Sequence, residues 1–253
     1  MSKCTIQGLY RYPVKGLSGA SLQTTNLTEK ETIPWDRAFA IENGPSGFDP
    51  ASPTHLPKMK FLMLMRNEGL ACLNTAFDDE TQILTISENG VKYLEASLST
   101  LEGRAEIESF LSNRFEDELR GDLKLLHVPG HSFSDVGEKV LHLINLNTVR
   151  DLEQTFGWQI DPLRFRANIY IDHLPAWQEF DWIGRSLSNG DATLLATKRT
   201  ERCAATNVDP KSGARDLTLP RKLLQTFDHT DCGIYLKVTG AGSLAVTDTL
   251  SLV

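Results

Sequence analysis

A β-rich α+β protein is the fold class this sequence predicts, and three observations predict it. The first hundred residues break into short runs of strand-like composition between turn clusters. Helical periodicity surfaces only in a few places farther on. The last third then returns to alternating apolar strands. Strand candidates in the first part are residues 4–14, 38–42, 61–66, 70–74, 82–87 and 92–96. Turns such as Phe77-Asp78-Asp79-Glu80 and Glu88-Asn89-Gly90 separate them, and such spacing favours an antiparallel sheet or barrel. Between Gly44 and Pro57, Pro45, Pro50, Pro53 and Pro57 itself predict an irregular loop.

Helices are expected next. Ile107, Phe110, Leu111 and Phe115 fall on one helical face. A second helix has Asn147 as its expected cap, Val149, Leu152 and Phe156 as its stripe, and Gly157 as its stop. Residues 167–173 alternate as a half-buried strand, residues 192–198 and 233–239 as two more, and a short helix over 221–227 lies between those two.

The 253 residues suffice for one large domain or two smaller ones. With 40% hydrophobic and 23% charged residues, such a chain buries a core without disulfide staples. A net charge of -7 argues against a broad nucleic-acid surface. Met1-Ser2-Lys3-Cys4 runs into a strand rather than an apolar signal core, and no run nears the roughly 18 apolar residues a membrane span requires. The expectation is a cytoplasmic protein with no membrane span. Cys4, Cys72, Cys203 and Cys232 contain no CxxC pair, which predicts neither a zinc knuckle, an iron–sulfur cluster nor a disulfide framework. Cysteine chemistry here would use one thiol alone.

Four polar clusters are candidates for chemistry. Lys198-Arg199-Thr200-Glu201-Arg202-Cys203 leaves a strand for a turn at Asp209-Pro210. Cationic neighbours favour thiolate, the form that binds metal or attacks, whereas a lone cysteine is otherwise a small buried hydrophobe. Arg164-Phe165-Arg166-Ala167-Asn168 sets two arginines at alternate positions, which on a strand point the same way. They suit a phosphate or carboxylate, or else a surface ion pair with an acid such as Asp161. Tyr12-Pro13-Val14-Lys15-Gly16 puts Lys15 at the tip of a tight loop, and Asp36-Arg37 precedes a strand. Thr148, at the N-terminus of the Asn147 helix, offers an anion site or plain capping. His127, His131 and His142 lack metal-ligand spacing and read as surface or core residues.

Taken together with Leu143-Ile144-Asn145 and the run Arg202-Cys203-Ala204-Ala205-Thr206-Asn207-Val208-Asp209-Pro210, these clusters occur in an order that resembles the MOSC (molybdenum cofactor sulfurase C-terminal) proteins carrying a MOSC N-terminal β-barrel domain. The amidoxime-reducing enzymes are the relatives it implies. The resemblance implies a β-barrel-like domain over 1–118, a MOSC β-barrel domain with a few helices over 119–253, and a molybdenum–pterin cofactor (molybdopterin). Cys203 matches the family's metal-binding, catalytic cysteine. Lys15, Arg37, Arg166 and Arg202 match basic positions for the cofactor's anionic and pterin groups, Asn168 a pterin-edge position, and Thr148 a phosphate position. It implies an oxidoreductase reducing N-hydroxylated or N-oxide small molecules with electrons from an external donor protein. Asp209 is expected to stabilise its turn rather than deliver protons. The rival reading is a cofactor or sulfur carrier holding persulfide on Cys203. A third is a scaffold whose site has decayed. Four departures from the family pattern bear on these readings: Gly16 for a frequent Ser, Glu201 before Arg202, Val246-Thr247-Asp248 for Val-Gly-Asp, and the loop over 45–57.

Overall fold

The computed structural model describes residues 3–253. β1 (Lys3–Arg11) leads through a tight loop to β2 (Ala20–Leu22), β3 (Thr24–Leu27) and β4 (Phe39–Asn43). β5 (Asn74–Phe77), β6 (Ile83–Glu88) and β7 (Val91–Ser97) form an antiparallel meander. α1 (Leu101–Arg114) follows, then β8 (Leu123–His127), which pairs with β4. The second half runs β9 (Leu141–Asn145), α2 (Leu146–Phe156), β10 (Ile169–Asp172), β11 (Ser186–Ser188) and β12 (Thr193–Glu201). It ends with α3 (Leu219–Phe227), β13 (Asp231–Gly240), β14 (Gly242–Ala245) and β15 (Thr249–Leu252).

Seven strands close a barrel in the order β10-β9-β13-β12-β11-β15-β1, with β1 returning to β10. Of the barrel strands among the described residues, only β9 and β10 pair in parallel; they are joined by α2, the kind of crossover a parallel pair needs. β1 is indispensable to closure. Its residues 3–5 pair with β15, its residues 5–9 with β10, and its residues 9–11 with β2. The barrel interior takes one side of each strand, as period-two alternation dictates: Ile6, Leu143, Ile171, Leu194, Ile234, Leu236 and Leu250 are all fully buried. A second core gathers Phe39 and Ile41 of β4, Leu84 and Ile86 of β6, Ile107 and Leu111 of α1, and Phe115 just past it.

Two expected strands are absent. Phe61 makes only an isolated bridge to Glu42, after which the chain turns through Met63 and Leu64. Residues 68–72 form a short 3-10 helix before β5 begins at Asn74. Both stretches are apolar enough for a strand, but they serve as the connection that lets Leu62, Leu70 and Leu73 plug the second core.

The turn between β14 and β15 carries the threonine that stands where the family pattern has glycine. Thr247 sits at φ 79, held there because its N–H bonds Ile6 O at 2.8 Å while Ile6 N–H bonds Asp248 O at 2.9 Å. A β-branched residue in this region is strained by about 1–2 kcal/mol, of which glycine's chain entropy returns about half. Thr247→Gly is therefore expected to stabilise the protein by roughly 1 kcal/mol, seen as a melting temperature about 2–4 °C higher. An unchanged or lower midpoint would contradict the strain.

Candidate functional site

A cleft of about 890 Å³, counting its open mouth, lies between the two cores. Six of the sequence-predicted residues line it: Lys15, Arg37, Arg166, Asn168, Arg202 and Cys203. Each arrives from a different local device. Lys15 follows Val14, which bridges Phe39, and its N–H bonds Phe39 O at 2.8 Å. Arg37 and Arg166 both stand at φ 51, the left-handed region unusual for side chains larger than glycine. Arg37 is pinned by its N–H to Tyr12 O at 2.7 Å and by Phe133 N–H to its own carbonyl at 2.8 Å. Strain of this kind persists where surrounding bonds over-determine it, and here two instances face one cavity.

The two guanidiniums clasp Tyr12, with Arg37 4.6 Å and Arg166 4.3 Å from the ring centre. Arg37 donates to Asp36 at 2.5 Å and to the Arg166 carbonyl at 2.9 Å. Arg166 has no carboxylate partner among the described residues. Burial drags its guanidinium below the usual arginine range, Tyr12 offsets this in part, and Arg37 adds to it. The expectation that Arg164 and Arg166 project together fails, because residues 162–165 form a 3-10 turn rather than a strand. Arg164 turns inward to Asp209 at 3.1 Å and Asp216 at 2.8 Å.

Asp209 is a turn residue, as expected. One of its oxygens accepts from Lys211 N–H, Ser212 N–H and the Ser212 hydroxyl, and the other accepts from Arg164. Burial would raise its carboxyl, but these hydrogen bonds and the Arg164 charge bring it below the ordinary range. Asn168 is largely spent within the protein. Its oxygen accepts from His142 N–H at 3.0 Å and from Arg37 at 3.4 Å, while its amide donates to Tyr10 O at 3.1 Å. One amide hydrogen is left for anything bound.

Thr148 is not in the cleft, and its expected phosphate role does not fit the structure. The helix cap is Asn145 rather than Asn147: its oxygen accepts from Asn147 N–H at 3.1 Å. The fully buried Glu179 already supplies an anion at this helix end. Its carboxylate accepts from the Thr148 hydroxyl at 2.8 Å and from the Asn145 amide at 2.9 Å. A phosphate there would meet a carboxylate. Burial raises the Glu179 carboxyl above its ordinary value, and the hydrogen bonds from Asn145 and Thr148 offset only part of the rise. With that direction the unfolded chain loses the proton first. Stability therefore falls as pH rises through the usual glutamate range, then levels off above the folded value. Glu179→Gln is expected to remove this fall, read as the difference between the two proteins' unfolding midpoints from about pH 4 to 8. Parallel profiles would refute it.

Three further residues line the cleft that the sequence did not single out for it. His142 is buried in β9, and its Nε2 accepts from Arg202 at 3.2 Å. Burial, then the Arg202 and Arg37 charges, hold its imidazole well below the usual range, so it is a neutral acceptor. A polar residue breaking the apolar run Val140-Leu141-His142-Leu143-Ile144 was the available signal. Lys58 follows the proline-rich loop and faces Cys203, whose sulfur helps raise its ammonium against burial. Asp135 bonds Lys15 and lies 3.9 Å from Lys58. Burial alone would raise its carboxyl, but Lys15, Lys58 and Arg37 bring it to about 2. Nothing local marks Lys58 or Asp135 in the sequence.

Two family models account for nearly the whole chain, the MOSC N-terminal beta barrel domain over residues 3–122 and the MOSC domain over 127–251. The chain belongs to the MOSC-domain family. No curated protein matches this MOSC protein. Among solved structures it is similar to the YUAD protein from Bacillus subtilis, with 12% identity, a TM-score of 0.46, and 98% of this chain and 94% of that one covered. YiiM from Geobacillus stearothermophilus shares 19% identity at a TM-score of 0.35, and YiiM from Escherichia coli 18% at 0.34. Each YiiM alignment covers 45% of this chain and 53%, about half, of the other.

Two departures from the family pattern lose their force in this MOSC protein. Gly16 has φ +89, and a Cβ there would lie 3.0 Å from Leu62 O, so the backbone itself calls for glycine. Glu201 is exposed and outside the cleft lining, so its charge does not enter the site. No helix among the described residues is long and apolar enough to cross a membrane.

The donor set can be tested against a molybdenum–pterin. Among the described residues no group of three or more His, Cys, Asp or Glu could hold a metal ion, so a metal at Cys203 would have to bring most of its ligands, as a dithiolene does. Six basic side chains line the cleft against two carboxylates, Asp36 and Asp135. Arg202 Nε is buried without a partner. One soft thiol among surplus cations and spare donors fits an anionic, hydrogen-bonding metal cofactor.

Proposed function

We propose that this MOSC protein holds a molybdenum–pterin cofactor through the Cys203 thiolate and reduces N-hydroxylated or N-oxide compounds with electrons from a partner protein. The observation that carries the reading is Arg166, a desolvated cation that makes no ion pair among the described residues, facing the same cleft as the Cys203 thiol. When bound, the cofactor would supply two-electron chemistry, R–NHOH + 2 e⁻ + 2 H⁺ → R–NH2 + H2O.

The chain's own residues supply charge and orientation. Arg166 and Arg202 would neutralise the anionic parts of the cofactor, with Arg202 aimed by His142 at 3.2 Å and by the Phe165 carbonyl at 2.8 Å. Arg37 and Lys15 are each tied to a carboxylate, which sets their positions and reduces the charge they can lend. Lys58 faces Cys203 and would set a positive charge beside its sulfur. Asp135, held ionised by its lysines, is an anchor for them and not a proton donor at neutral pH. A division into 1–118 and 119–253 places Lys15, Arg37 and Lys58 on one part and Arg166, Arg202 and Cys203 on the other, so both parts are needed for the site.

The test is molybdenum and pterin content after expression in a host that loads another molybdoenzyme. Near-stoichiometric metal is expected in the wild type, with a loss of about tenfold or more in Cys203→Ala. Metal-free wild-type protein would overturn the reading, and a reductant-labile persulfide on Cys203 in that protein would establish the sulfur carrier instead.

A further inference from the structure

The cleft has a neighbour of different character. A second chamber of about 910 Å³, counting its open mouth, lies against it, sharing Gly16, Leu64, Arg164, Arg166 and Ala205 as a common wall. Its own walls include Tyr10, Tyr12, Leu163 and Val208 on one side and Ser18 and Thr75 on the other. The two hydroxyls satisfy each other at 2.9 Å, and the Ser18 oxygen also accepts Thr75 N–H at 2.7 Å, so that wall needs no polar ligand. A mainly apolar lining with a few polar groups is the character of small-molecule sites.

The chamber is also rigid. Tyr12 is clamped between two guanidiniums and backed by Gly19, where a Cβ would stand 2.6 Å from the ring. Contacts across the two halves hold the chamber together. Arg215 bonds Met65 O at 2.9 Å and Glu68 at 2.8 Å, and the Cys72 thiol bonds Ser212 O at 3.3 Å. Of the charged groups on the wall, Arg164 is neutralised by two aspartates and Lys211 lies 3.3 Å from Asp161 in the open. Arg166 alone faces the chamber without a carboxylate partner among the described residues, and it stands where the two cavities meet.

We infer that the second chamber binds the aryl body of the N–O substrate, packing it against Tyr10, Leu163 and Val208 with its polar head at Arg166 and Ala205, two residues from Cys203. The inference rests on the proposed reductase reading and adds to it a preference for aryl over alkyl substrates. Flat apolar walls with one directional donor select rings whose polar group sits at one end.

Asn74→Trp and Leu163→Trp each narrow the chamber from a different wall, and neither residue lines the first cleft. Both variants are to be loaded and compared with wild type using a 2-naphthyl amidoxime and a butyl amidoxime. The expected result is unchanged metal content, a KM for the naphthyl compound raised about tenfold or more, and a KM for the butyl compound within about twofold. Equal changes for both compounds, or none, would overturn the inference while leaving the reductase reading standing. Calorimetric binding of the naphthyl compound to metal-free protein separates the two claims. Binding that both tryptophans abolish supports the chamber even if no turnover is found, and absence of binding in the wild type overturns it.

Discussion

Gly233→Ala is expected to destabilise the protein by about 3 kcal/mol or more and to displace His142 from the cleft. Gly233 sits at φ +82 in β13, a conformation alanine resists. A Cβ there would stand 2.4 Å from Leu143 O, 2.7 Å from Ile144 Cδ1 and 2.8 Å from His142 Nε2. The first of these is backbone in the neighbouring barrel strand, so a rotamer change cannot relieve it; β9 or β13 must shift. The ladder through Ile234 and Leu143 would open at the point where His142 and Arg202 meet. Chemical denaturation is the check: the midpoint should fall with little change in slope. A midpoint equal to wild type would mean that the strands move freely here, and the same freedom would undermine the case for a preset Arg202.

The barrel and the cleft were legible to different degrees. Gly157 and the α2 stripe, the alternation of β13 and the proline-rich loop follow local rules that the structure obeys, because period and turn chemistry are local properties. The cysteine and the basic residues were visible because charged residues next to an apolar strand need a reason. Side-chain direction was not legible. Arg164 and Arg166 part company because a left-handed residue at 166 turns the chain, and nothing in Arg-Phe-Arg forces that turn. Thr148 was misplaced because Glu179, 31 positions away in sequence, decides what its hydroxyl does. Lys15 and Asp135 meet across 120 positions, a closeness that only barrel closure and β4–β8 pairing create.

Arg166→Met is expected to act in opposite directions on the metal-free and the loaded protein. In the metal-free protein the Arg166 guanidinium is desolvated, faces the like charge of Arg37 and makes no ion pair among the described residues, with Asp135 offsetting only part of the cost. Its stacking on Tyr12 at 4.3 Å returns about 1–2 kcal/mol, less than desolvation and repulsion together cost. Methionine keeps the length and the contact with Tyr12 while removing the charge. The metal-free variant should thus be more stable by about 1 kcal/mol. The loaded protein should lose the charge-assisted bonds that the arginine is kept for, at about 2 kcal/mol or more, so cofactor retention through gel filtration should drop more than tenfold. Measuring both melting temperatures and metal content on the same preparations decides it. A variant less stable when metal-free would make Arg166 a structural residue. A variant more stable but equally well loaded would place the anionic end of the cofactor on Arg202 alone. Only the crossed result, with gain in one state and loss in the other, is the signature of a cation positioned for a ligand at the fold's expense.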